Sequence, residues 1–289
     1  MTDVFGEAAI LRETVAQIGA ILGPEAEHIR VERVVIGLFF TGVKLESGVG
    51  GMCATPLRMI PEAVCCPSSA ATMPFPGKLR GRHAFDVLKE TEAPSPIRRA
   101  VGIATMNALA EMCWNRRPLP DVELKVGVDA FDTAAIAPGE NVVVVGAFVP
   151  FLRALKRMGQ PYTVLEIDPR TLKPDELNHF RPAEQAPAVV PSADVVFITG
   201  TTMLNNTLEG LLGLCKPEAR VVVVGPTVSL LPDAYLRRGV NILGGVRVTD
   251  PEALLDMLAE GGSGYHFFGR AAEKVVLIGK NAKSARLAA

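Results

Sequence analysis

The stretch 192–210, SADVVFITGTTMLNNTLEG, concentrates the side chains best suited to hold a ligand. Thr199, Thr201, Thr202, Asn205, Asn206 and Thr207 place hydroxyls and amides around Gly200, where a β-branched apolar run ends. Asn206 stands three residues before Glu209, the spacing of a capping box, so a helix is expected to begin there. Its first N–H groups and positive dipole end would then face the same space as the hydroxyls. That combination suits a carboxylate, a phosphate or an oxygen-rich chelate. Asn206 alone would suffice as a cap, so the surplus of polar side chains points to ligand contact. A second stretch, VVVVGPTVSLLP, repeats the arrangement with Gly225, Pro226 and Thr227. Two neighbouring strand ends of the same kind would make one wall of a pocket.

Other residues compete for chemical roles. Gly146 follows VVVV, and Glu166 and Asp168 follow about 20 residues later, the interval at which an acid commonly takes ribose hydroxyls. A single glycine is not GxGxxG, and Phe148 and Val149 would crowd a pyrophosphate, so NAD and FAD are disfavoured. A nucleotide- or S-adenosylmethionine-dependent enzyme using Gly146 and Glu166 is the alternative reading. Cys65 and Cys66, with Cys53 upstream and His83 downstream, are the candidate ligands for a soft metal. No CxxC, HxxxH or HExxH accompanies them, and adjacent cysteines diverge on a strand, so packing as small hydrophobes competes with ligation. Asn107 in GIATMNALAE is an amide among apolar residues and needs a partner, either a ligand or a backbone carbonyl of the other half.

These loops need a frame. In the second half, near-continuous apolar runs at 141–145, 162–167, 194–199, 220–224, 241–243 and 274–278 alternate with helical segments at 150–158, 207–215, 232–238 and 251–260. Continuous rather than alternating apolarity marks parallel strands covered on both faces, hence a Rossmann-like doubly wound, mostly parallel sheet. Ligands of such sheets bind beyond the carboxyl ends of the strands, where the loops above lie. The first half reads as α+β. An opening helix carries Ala9, Ile10, Val15, Ile18 and Leu22 and stops at Gly23-Pro24, and two strands then meet near Thr41-Gly42. GVGGMCAT follows as a third extended piece with its glycines in a turn or bulge, and a helix is expected over 96–112. The proline-containing WNRRPLPDVELKVGVD breaks the texture, so the expected units are 1–120 and 121–289.

Composition limits the function classes. A hydrophobic fraction of 48%, a charged fraction of 21% and a mean hydropathy of +0.26 describe a well-buried globular core. A formal net charge of -1 offers no broad attraction to nucleic acid or anionic membrane. The apolar runs fall far short of the roughly 20 residues of a membrane span, so no insertion is expected. The N-terminal stretch mixes charged and apolar residues at helical spacing, unlike a signal peptide. Five cysteines without a regular pattern point to reduced thiols and a cytoplasmic protein. The sequence leaves the oligomeric state open, a homo-oligomer included.

The segments VVVVGAFVPFLRALKRMG, SADVVFITGTTMLNNTLEGLL, VVVVGPTVSLLP and RAVGIATMNALAE together resemble an uncharacterised prokaryotic family described by heavy-metal chelation. The likeness is strongest over 100–262, and TGTTxxNxT followed by GPT is its most specific part. The resemblance implies an N-terminal domain like the small enolase N-terminal domain, followed by a Rossmann-like domain. It also implies a ligand site between them and a role in handling a metal ion or a metal chelate.

Overall fold

The computed structural model describes residues 8–59, 73–117 and 121–280. Cys65 and Cys66 therefore lie outside the described residues. Helix α1 (Ala9–Leu22) leads into strands β1 (Val31–Ile36), β2 (Phe40–Leu45) and β3 (Gly50–Ala54). These strands form an antiparallel sheet in the order β1-β2-β3. Helices α2 (Ala84–Leu88) and α3 (Pro96–Trp114) follow. Most of α3 is buried and its buried residues are mainly apolar, with Arg99, Thr105 and Asn107 as polar exceptions, the expected pattern of a helix covered on most sides.

The second sheet is mixed and mostly parallel. Its strands are β4 (Val122–Val126), β5 (Val142–Val145), β6 (Tyr162–Glu166), β7 (Phe180–Pro182), β8 (Val195–Thr199), β9 (Arg220–Val224), β10 (Val240–Val248) and β11 (Ala272–Gly279). They lie in the order β4-β11-β10-β9-β8-β5-β6-β7. From β7 to β10 all pairings are parallel, while β11 and β4 add antiparallel edges. In chain order the parallel part runs 3-2-1-4-5-6, the Rossmann order, and the reversal falls between β5 and β8.

The elements read from the sequence are present, and two more strands and several short helices appear. Strand β4 lies in the proline-containing stretch taken as a break; as a half-buried edge strand, VELKV carries no continuous apolar run. Strand β7 is three residues long, too short to leave a pattern. Helices α4 (Ala130–Thr133), α5 (Val149–Met158), α6 (Ala186–Val189), α7 (Leu208–Leu214), α8 (Asp233–Leu236), α9 (Pro251–Ala259) and α10 (Gly264–Phe267) are the remaining α-helices among the described residues. Helix α5 has Pro150 in its first turn and stops at Gly159 in a left-handed cap, as its sequence requires.

The two sheets share one apolar core. A single cluster joins Ile10, Val43, Ile103 and Leu109 of the first half to Val143, Ile198, Val223 and Leu243 of the second. The small sheet lies between α3 and α9: Val43 and Cys53 pack toward α3, and Met52 packs against Leu254, Leu255 and Leu258. Gly51, expected in a turn, sits inside β3 instead. A Cβ there would collide with the backbone nitrogen of Ala108 and the oxygen of Ala104, so glycine permits strand and helix to touch. Polar contacts fasten α1 to the second half: Glu13 pairs with Arg237 and Arg238 at 2.6 Å, and Glu209 accepts the Ile10 N–H at 3.0 Å. Half-exposed pairs contribute roughly 0–1 kcal/mol each, against about 1.5–3 for each buried aliphatic side chain, so packing dominates the attachment.

Candidate functional site

The reversal between β5 and β8 brings Gly146 and Thr199 into contact. Gly146 has φ +103°, and a Cβ would lie 2.9 Å from the Thr199 methyl carbon, so both conformation and space require glycine. Glu166 ends β6 one strand away. Its carboxylate accepts backbone N–H groups of Ala147 (3.0 Å), Ile167 (3.1 Å) and Asp168 (3.4 Å), tying the β5 loop to the end of β6. Phe148 turns onto Phe151, with ring centroids 4.9 Å apart.

Beside these residues lies a cleft of about 790 Å³ lined by Arg58, Ile167, Asp168 and Arg170. Asp168 accepts from Arg170 through Nε (2.9 Å) and Nη2 (3.0 Å), and from Arg58 Nη1 at 3.0 Å. These contacts, led by the Arg170 side chain, hold the Asp168 carboxyl down at about 2. Two guanidiniums thus share the Asp168 carboxylate. Arg58 comes from the turn after the small sheet, so the cleft is bounded by both halves of the chain.

After β8 the chain forms a turn dense in its own hydrogen bonds. Thr199 and Thr201 hydroxyls share a bond of 3.0 Å, and Thr202 Oγ1 donates to the Thr199 carbonyl at 2.7 Å. Thr201 is exposed, Thr199 half-buried and Thr202 buried. The capping box at Asn206 does not form. Asn205 Oδ1 instead accepts from Thr207 N and Oγ1, at 3.3 and 2.6 Å, and α7 starts only at Leu208. The cause is Asn206, whose φ of +57° reverses the chain; asparagine tolerates this conformation. Glu209 is drawn away to the Ile10 N–H, and Asn206 Oδ1 is buried without a hydrogen-bond partner. The seven-residue α7 is therefore displaced from the turn, and the hydroxyls are its principal polar groups.

The end of β9 is built differently. Gly200 packs against Thr227 and Val228, so Thr227 lies next to the β8 turn. Thr227 is fully buried; its Oγ1 accepts from Ala54 N at 3.3 Å and faces Cys53 Sγ at 3.7 Å. Asn107 donates through Nδ2 to the carbonyls of Met52 (2.9 Å), Pro226 (3.1 Å) and Thr227 (3.4 Å), while its Oδ1 is buried without a partner. Of the two partners open to Asn107, the structure supplies backbone carbonyls. Gly225, at φ +135°, joins the β9 end to β10 through its N–H to Gly244 O, 2.9 Å. The loops thus bring Gly146, Thr199, Gly200, Gly225, Pro226 and Thr227 side by side, with Asn107 behind the β9 loop.

Two arginines carry no signal in the sequence reading. Arg58 meets Asp168 only through folding, 110 positions apart. Arg99 is buried on α3, and among the described residues it donates only to carbonyls, Leu204 at 2.6 Å and Ala93 at 2.8 Å. Its Nε has no partner, and burial lowers its pKa. By holding Leu204, it anchors the β8 turn from below.

The described cysteines are neutral thiols at neutral pH. Burial pushes the Cys53 thiol up to about 12 and those of Cys113 and Cys215 up to about 11. Among the described residues, no group of three or more His, Cys, Asp or Glu side chains is arranged to hold a metal ion. No helix among them is long and apolar enough to cross a membrane.

Residues 129–277 match a protein family, DUF364, whose description reads "Putative heavy-metal chelation". The chain belongs to that family. Residues 20–110 match a second family model with the same description. An uncharacterised protein of Methanocaldococcus jannaschii is 27% identical over 177 residues, which cover 60% of this chain and 63% of that relative's length, less than two thirds. A DUF364 protein of unknown function from Pyrococcus horikoshii superposes with a TM-score of 0.71 at 18% identity, covering 92% of this chain and 98% of that one. Another from Desulfitobacterium hafniense gives 0.65 at 20% identity with the same coverage. Both likenesses establish that the α/β architecture is the DUF364 fold.

Proposed function

We infer that the protein binds a small anionic, metal-associated ligand in the cleft between its proposed units, 1–120 and 121–289. The observation that carries this reading is the pair Arg58 and Arg170, one from each half, converging on a single Asp168 beside the strand reversal. Guanidiniums and neutral hydroxyls complement oxygen anions rather than a bare cation. The thiols of Cys53, Cys113 and Cys215 are held protonated, which favours a metal arriving with its own oxygen-rich chelator. Thr199 and Thr201 are the proposed hydroxyl contacts, with Gly146 and Gly200 giving close backbone approach. The family description is in keeping with this role.

The second reading is a nucleotide- or S-adenosylmethionine-dependent enzyme, favoured by the Rossmann strand order and the left-handed Gly146 at the reversal. Against it, the Glu166 carboxylate that would take ribose hydroxyls already accepts three backbone N–H groups.

Native mass spectrometry with elemental analysis, on protein purified without oxygen or added chelators, separates the two. A stoichiometric adduct containing a metal, lost in Arg58→Gln with Thr201→Ala, is the expected result. A metal-free adenosyl or nucleotide adduct would overturn the first reading in favour of the second.

A further inference from the structure

An open sheet edge invites pairing with another strand, and most edges of this chain are blunted. Strand β7 ends at Pro182, which has no N–H to offer. Strand β1 carries a register shift between Val31 and Arg33, and the backbone of Gly81 and Arg82 bonds to Val31. Strand β4 has none of these devices. Its five residues contain no proline and run in unbroken register along β11, from Val122 opposite Gly279 to Val126 opposite Val275. Gly127 N donates to Lys274 O and Lys280 N to Asp121 O, each at 2.9 Å, so 121, 123, 125 and 127 are the positions whose backbone bonds to β11. The N–H and C=O groups of Val122, Leu124 and Val126 therefore point away from the sheet, and among the described residues no strand or loop bonds to them. Val126 is 47% exposed beside this edge. On the opposite face Glu123 and Lys125 stand 3.7 Å apart, with both side chains partly in water.

We propose that the outer edge of β4 pairs antiparallel with the same edge of a second copy of this chain, about a two-fold axis at Leu124. In that register Leu124 meets the partner's Leu124 and Val122 meets the partner's Val126, so all the outward backbone groups of both strands are bonded. Between these pairs Glu123 faces the partner's Lys125, and Lys125 the partner's Glu123, at the non-hydrogen-bonded positions where side chains approach most closely. The charges also select this register. Of the symmetric registers that keep the outward groups paired, moving the axis to position 123 sets Glu123 against the partner's Glu123, and moving it to 125 sets Lys125 against the partner's Lys125. Only the axis at Leu124 matches opposite signs at both places. The exposed Val126 is then covered by the partner's Val122, on the face where Leu124 and Leu277 already pack against the core. A strand whose charge order is its own complement under a two-fold axis fits a second copy of itself better than an unrelated strand.

The test is sedimentation equilibrium of the full chain, from about 1 to 200 µM, a range suited to the weak association of a small interface. The unaltered chain is expected to form a reversible dimer. Glu123→Lys and Lys125→Glu, each folded by circular dichroism, place like charges across the axis and should each weaken the dimer about tenfold or more. An equimolar mixture of the two variants restores opposite signs at both positions, so it should dimerise where each variant alone does not. The double exchange, Glu123→Lys with Lys125→Glu in one chain, should recover self-association. A chain that stays monomeric throughout would overturn the proposal. So would a dimer indifferent to both single variants, which would lie on another surface, or a mixture that associates no better than its components.

Discussion

The ends of β8 and β9 are adjacent, and both are rich in glycine and threonine, yet they do different work. After β8, Thr199 and Thr201 pair with each other at a surface that water reaches. After β9, Thr227 is fully buried and its hydroxyl meets the small sheet at Ala54, while the loop carbonyls receive Asn107. The difference lies in what covers each loop: β3 and α3 press on the β9 end, whereas Arg99 of α3 holds the β8 turn only from below at Leu204 and, among the described residues, leaves Thr201 exposed. Polar residues at strand ends therefore serve either as a ligand surface or as hydrogen-bonded joints between layers, and burial decides which.

Mutations at the joint should cost stability, and mutations at the open turn should cost binding. The largest effect is expected from Gly51→Ala, because the new methyl meets the α3 backbone, which cannot rotate away. A loss of about 3 kcal/mol or more is expected in urea unfolding, and a value near zero would mean that β3 does not press on α3 as described. Asn107→Ala should follow, at about 2–3 kcal/mol, because it strands buried carbonyls of Met52 and the β9 loop. Thr227→Val keeps the shape and removes one acceptor, for about 1 kcal/mol by the same measurement. Thr201→Ala, at the exposed turn, should change stability by less than about 0.5 kcal/mol while weakening the anionic ligand. Equal destabilisation by Thr201→Ala and Thr227→Val would erase the distinction between the two strand ends.

The smallest effect concerns pH. Asp168 is held at about 2, below its ordinary 3.8, first by the Arg170 side chain and then by further contacts that include Arg58. A depressed carboxyl favours the folded arrangement above the ordinary value, and that contribution is lost as pH falls through about 2. The Asp168 side-chain carbon resonance should therefore titrate near 2 in the intact protein and move toward 3.8 in a doubly substituted Arg58→Gln, Arg170→Gln chain. An unshifted titration in the intact protein would remove the ion pair from the cleft.

Much of the frame was legible along the chain. The valine runs at β5 and β9 are continuous because both faces of the parallel sheet are covered, and Pro150 and Gly159 bracket α5 for reasons local to the backbone. Edge strands were harder: β4 alternates polar and apolar residues because one side meets water, and β7 is too short for any period. The turn after β8 was legible as polar but misread in detail, because Asn206 adopts a left-handed conformation that its spacing to Glu209 does not reveal.

The sequence by itself determined the succession of elements, since periodicity, caps and turn residues act over a few positions. Tertiary structure alone decided which polar strand end remains open, which glycine admits a helix, and that Arg58 meets Asp168 across 110 positions. Those outcomes depend on what distant chain lies over each residue, and local chemistry carries no record of that covering.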